Sequence, residues 1–188
     1  RAFATGNIAT LLSSIARGGM QFMLIIWLQG IWLPLHGYDF EQTPLWAGIY
    51  LLPLTVGFLA AGPLSGRVSD RHGARILSTA GLLLVAVTFL GLLLLPIDFT
   101  YWQFAVLIAL NGAGSGLFAA PNTASVMSSV PASERGAAAG MGSTFMTAGT
   151  VLSIGVFFSL LIAGLANSLP STLGSGLQAA GVPAEAAQ

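Results

Sequence analysis

The sequence predicts an all-α integral membrane protein with five transmembrane helices, and three observations lead there. Apolar residues make up 55% of the 188-residue chain and charged residues only 6%, against about 25% charged in an ordinary soluble domain. The mean hydropathy is +0.84. Five apolar stretches reach the length of about 20 residues that a helix needs to cross a bilayer core. In lipid every backbone amide must be paired internally, so such runs are helices unless they close into a barrel. LLLVAVTFLGLLLL has none of the alternation of barrel strands.

The first span, 8–35, carries Arg17 inside an apolar segment, with Gln21 one turn on and Gln29 two further turns along. An arginine at a helix centre costs about 2.5–3.5 kcal/mol on insertion scales, which argues for function. Close to the helix start it would instead snorkel to the interface. Trp27 and Trp32 read as interfacial anchors, with contact to an aromatic solute as the alternative. The second span, 45–65, holds Pro53, Gly57, Gly62 and Pro63, which predicts a bend. The third, 76–97, has only Thr79 and Thr88 as polar residues past its start and is expected to face lipid.

The fourth span, 102–128, places Asn111, Ser115, Asn122 and Ser129 at spacings of four, seven and seven, on one face. Asn111 and Asn122 are candidate groups across a cavity, or helix–helix hydrogen bonds worth about 0.6 kcal/mol each. The fifth, 137–165, is preceded by Gly136 and contains Gly140 on the same small-residue face, which allows close helix contact. Helices graded from featureless to polar argue for a bundle around a central path. The polar segment 167–188 is expected as an extracytoplasmic loop, and both ends read as cuts in a longer protein.

Charge sets the expected orientation. Arg67, Arg71 and Arg75 sit between the second and third spans and Arg135 between the fourth and fifth. The opposite connections carry Asp39, Glu41 and Asp98 but no Lys or Arg. Basic short loops mark the cytoplasmic side, so the amino end is expected inside and the carboxyl tail outside.

Several function classes are disfavoured. Zero net charge leaves no basic footprint for nucleic acid, and the absence of cysteine removes disulfides, Cys-based zinc sites and thiol nucleophiles. FAVLIALNGAGSG imitates a dinucleotide turn, but Leu117 stands where the third glycine belongs and no βαβ alternation follows. No metal spacing and no Ser/His/Asp arrangement occurs, so neither an enzyme nor a cofactor is expected.

The turn GRVSDRHGAR orders Gly66, Asp70, Arg71, Gly73 and Arg75 in a way that resembles the G-x-x-x-D-R-x-G-R-R signature of the major facilitator superfamily, with Ala74 in place of the first closing arginine. WLQGIWLPLHGYDFEQTPLWAGIYLLP and LNGAGSGLFAAPNTASVMSSVPASERGAAAG are similar to the carboxy-terminal half of its fourteen-helix drug/proton antiporter group. The resemblance covers nearly the whole chain. It implies that 1–166 is a partial six-helix half-bundle, that the amino-terminal half of the same transporter is missing, and that the last helix follows the tail. It implies alternating access in a bacterial cytoplasmic membrane, with a small-molecule solute, protons and the bilayer as partners. The first and fourth helices would line the cavity, the second and fifth would meet the other half, and the third would lie outside. Gly66, Asp70, Arg71, Gly73 and Arg75 would form a conformational latch, with Arg17, Gln21, Gln29, Asn111 and Asn122 as cavity residues. No Asp or Glu lies within the five spans, so a proton carrier is expected in the missing half. A symporter or uniporter of another solute and a non-transporting scaffold are the alternatives.

Overall fold

The computed structural model describes residues 2–96 and 98–179, and the side chains of 2–69, 73–96 and 98–166. The first span is one rod over 2–35: α1 (Ala2–Trp27), a π-helical turn (Leu28–Trp32) and a short α2 (Leu33–Leu35). The π turn falls where Pro34 lacks an N–H and its ring would press on the carbonyl four residues back, so the widened turn accommodates it.

A 3₁₀ turn (Phe40–Gln42) leads into α3 (Thr43–Tyr50), and α4 (Leu52–His72) continues the second span. The expected bend is a break at Leu51, just before Pro53 in the first turn of α4, where no N–H is required. α4 runs unbroken through Pro63. Gly73, with φ of +87°, makes the turn into α5 (Ala74–Leu93), a left-handed conformation that L side chains rarely adopt. α6 (Tyr101–Ser128) forms the fourth span. After a 3₁₀ turn (Ala132–Glu134), α7 (Arg135–Ala179) forms the fifth. Its backbone stays helical to Ala179, so residues 167–179, expected as a loop, are described as helix.

α6 is the hub. Of its most apolar stretch 56% is buried, against at most 22% for the other spans. α4 and α5 pack along it, α1 pairs with α7, and α1 reaches α6 at a smaller contact. Lipid offers no hydrophobic drive for helix association, so close van der Waals approach through small residues does the work. Gly57 of α4 lies against the Ala109 carbonyl, Gly112 of α6 lies against the Leu54 carbonyl, and Gly81 and Gly114 bring α5 and α6 together. A Cβ at any of these meets backbone.

Within this chain the fifth span meets the first through other small residues. Gly136 and Gly140 face open space, whereas Gly149 packs on the backbone at Leu11 and Gly18 on Ser153. The small-residue stripe that holds α7 to α1 is therefore the Gly149–Ser153 side. α5 buries Gly81 and Thr88 against α6 and turns Leu83, Val87, Leu90 and Leu93 outward, as a lipid-facing helix should.

At the end bearing the first and third loops, aromatic rings close the bundle. Trp32 is buried and stacks on Phe99 at 5.2 Å and on His36 at 3.9 Å. Trp27 stacks on Phe99 at 4.9 Å, and Tyr38 and Tyr50 share a hydrogen bond of 2.8 Å. The two tryptophans expected as interfacial anchors thus pack inside the bundle end, because Phe99 folds over them from the third loop. Among the described residues the indole Nε1 of Trp32 has no hydrogen-bond partner.

Candidate solute path

The polar groups of α1 recur on one face: Thr10, Ser14, Arg17 and Gln21 lie four, three and four residues apart. α1 presents this stripe toward α4 and α6. Arg17, Gln21, Thr55, Phe58 and Ser115 line a pocket of about 250 Å³. A smaller pocket of about 100 Å³ shares Arg17 and Ser115 and adds Thr10, Ser14 and Asn122. A third, of about 450 Å³, shares Asn122 and opens between the starts of α1 and α5, where Arg75 and Thr5 line it. Consecutive pockets share lining residues, so they lie in a row along α1 and α6 from the Arg75 end to Gln21, here called the path.

Arg17 stands within two residues of the midpoint of the 34-residue first span. At 1.5 Å per residue it is about 22 Å from one end and about 27 Å from the other. Its guanidinium carbon sits 5.6 Å from the centroid of the Phe58 ring. A cation–π contact returns about 0.5–1 kcal/mol, and about 2 when desolvated, less than the roughly 2.5–3.5 kcal/mol that a central arginine costs. Among the described residues no carboxylate pairs with it; the ion pair seen, His36 Nε2 to Asp98 Oδ1 at 3.7 Å, is at the aromatic end.

The asparagines divide. Asn122 Nδ2 donates to Thr10 Oγ1 at 2.9 Å and to the Gly6 carbonyl at 3.2 Å, tying α6 to α1 at the path wall. Asn111 Nδ2 donates to Thr88 Oγ1 at 2.8 Å and is buried between α6 and α5, away from every pocket above. Gln29 lies in the π turn, also outside them. The structure therefore brings Arg17, Gln21 and Asn122 to one path and leaves Asn111 and Gln29 elsewhere. It adds Thr10, Thr55 and Phe58. The α1 spacing could have revealed Thr10; Thr55 and Phe58 carry no such signal, since an isolated threonine and phenylalanine are ordinary in a membrane helix.

Of the five residues expected to form a latch, Gly66 is exposed on α4 with open space around it, Gly73 makes the turn, and Arg75 lines the path opening. The side chains of Asp70 and Arg71 lie outside the described residues.

Five long apolar helices with a polar path along the most buried one define a polytopic integral membrane protein. The Major Facilitator Superfamily profile matches residues 7–177, and the chain belongs to that family. It is 28% identical over 179 residues to the methyl viologen resistance protein SmvA of Salmonella typhimurium, covering 95% of this chain and 34% of that one. It is 32% identical over 170 residues to the multidrug resistance protein Stp of Mycobacterium tuberculosis, covering 89% and 29%. The riboflavin transporter RibZ of Clostridioides difficile matches at 26% over 136 residues, covering 72% and 28%. The chain thus spans about a third of the length of these relatives. No solved structure gives a significant match.

Proposed function

We propose that the chain is part of the carboxy-terminal half of a fourteen-helix secondary transporter that exports drug-like or other small molecules in exchange for protons. The observation that carries this reading is the polar path through Arg17, Gln21, Ser115 and Asn122, set along the midsection of membrane helices. The resistance proteins SmvA and Stp among its relatives favour export. Transport proceeds by rocking of two halves around a midplane site, with Gly66, Asp70, Arg71, Gly73 and Arg75 biasing the two access states. The basic turns face the cytoplasm of a bacterial cell, with the amino end inside and the tail outside. Partners are the amino-terminal half, which supplies the proton carrier, a small-molecule solute and the bilayer. RibZ favours a second reading, a carrier of another small solute.

The test is expression of the full-length protein in an efflux-deficient bacterium, with accumulation of methyl viologen, ethidium and riboflavin measured with and without a protonophore. Lower accumulation of at least one of these solutes, abolished by the protonophore, is expected. Accumulation equal to the empty-vector control for every solute would overturn the transport reading.

A further inference from the structure

The charge balance of the path narrows what enters it. Its described lining includes two cations, Arg17 at mid-span and Arg75 at the open end, and no acid. The remaining polar lining consists of hydroxyls and amides: Thr10, Ser14, Gln21, Thr55, Ser115 and Asn122. These orient a ligand without neutralising a guanidinium. The Arg17 guanidinium lies over the face of Phe58 and lines the pocket of about 250 Å³. Its planar fork matches a carboxylate. A cation at mid-span with an aromatic ring on one side and a polar-lined pocket on the other is a site suited to a counter-charge.

We infer that the Arg17 pocket receives an anionic group, a carboxylate in the first instance, held by the guanidinium with Gln21, Thr55 and Ser115 around it. This rests on the path being the solute site. The carboxylate has two sources, the transported solute or an acid of the rest of the transporter. In the first case the path selects anionic or zwitterionic solutes and repels organic dications, which carry two positive charges toward Arg17 and Arg75.

The experiment uses the detergent-purified full-length protein and 5-carboxyfluorescein, with binding read by fluorescence anisotropy and stability by melting temperature, neither of which needs flux. If the solute is the source, the dye binds, Arg17→Gln weakens binding at least tenfold, and Arg17→Lys retains most of it. Arg17→Gln then melts no lower than wild type, since it removes an unpaired embedded charge. If the transporter itself supplies the carboxylate, the dye does not bind and Arg17→Gln lowers the melting temperature, because it strands a buried acid. Arg17→Lys then retains stability, and neutralising that acid restores the Gln variant. Binding or stability that does not depend on charge at position 17 overturns the inference. Loss of export with intact charge-dependent binding would instead count against the transport reading alone.

Discussion

The amide of Asn111 donates to Thr88 at 2.8 Å with both residues almost fully buried, so its partner is a neighbouring helix and not a solute. Such a bond inside a membrane protein is worth about 0.6 kcal/mol on average and at most about 1.7. Asn111→Ala is therefore expected to lower thermal stability slightly in detergent while leaving the KM of any transported solute within twofold. Asn122→Ala removes a donor from the path wall itself and leaves Thr10 Oγ1 and the Gly6 carbonyl with only their mutual bond of 3.0 Å among the side-chain hydrogen bonds of the described residues. It is expected to raise KM severalfold as well as loosen α1 from α6. A flux assay with a melting curve separates the two, and a larger KM change in the Asn111 variant would contradict the placement. Both asparagines were visible in the sequence as one polar face. Which partner each meets was not, because α5 approaches α6 near Gly114 and α1 near Val126. Helical periodicity fixes the face of a residue but not the neighbour at its level.

Among the helices, α6 is legible in retrospect through its glycines. NGAGSG places Gly112, Gly114 and Gly116 two apart, so they point to different sides of the helix, and the structure packs α4 on Gly112 and Gly116 and α5 on Gly114. Five spans and their loops follow from apolar length alone, since lipid leaves the backbone no other choice. The break at Leu51 and the π turn at Leu28–Trp32 are harder to read. Proline announces an interruption, but its exact form depends on how neighbouring helices receive the freed carbonyls. The aromatic cap was missed for a related reason: Phe99 is far from Trp27 and Trp32 in sequence, and only loop geometry stacks it on them. The α4–α6 contact gives the sharpest test at this scale. A side chain at Gly112 meets the Leu54 carbonyl, a backbone atom that cannot rotate away. Gly112→Val should cost about 1–3 kcal/mol by overpacking, seen as a lower melting temperature and reduced yield of folded protein. Gly136→Val, into open space, is the matched control and should change neither in the isolated chain.

For the whole molecule, the distribution of charge decides which steps of a transport cycle this chain can carry. Asp39, Glu41, Asp98 and Glu134 all lie in loops or at helix starts, and the charged residues in the described lining of the path are Arg17 and Arg75. Asp98 lies 3.7 Å from His36, but its side chain is 89% exposed, so it sees little of the interior. An exposed pair of this kind contributes roughly 0–1 kcal/mol. A residue that carries a proton across must instead change exposure between the two faces, which requires a position within the membrane-embedded region. On the proposed transport reading, Asp39→Asn, Glu41→Gln, Asp98→Asn and Glu134→Gln, singly or together, should leave solute export dependent on the proton gradient, with rates within a few fold of wild type. The measurement is solute-driven proton movement in proteoliposomes holding the full-length protein and a pH-sensitive dye. Complete loss of proton movement with solute flux retained, from any one of these substitutions, would place the carrier in this chain and not in the remaining two thirds of the transporter.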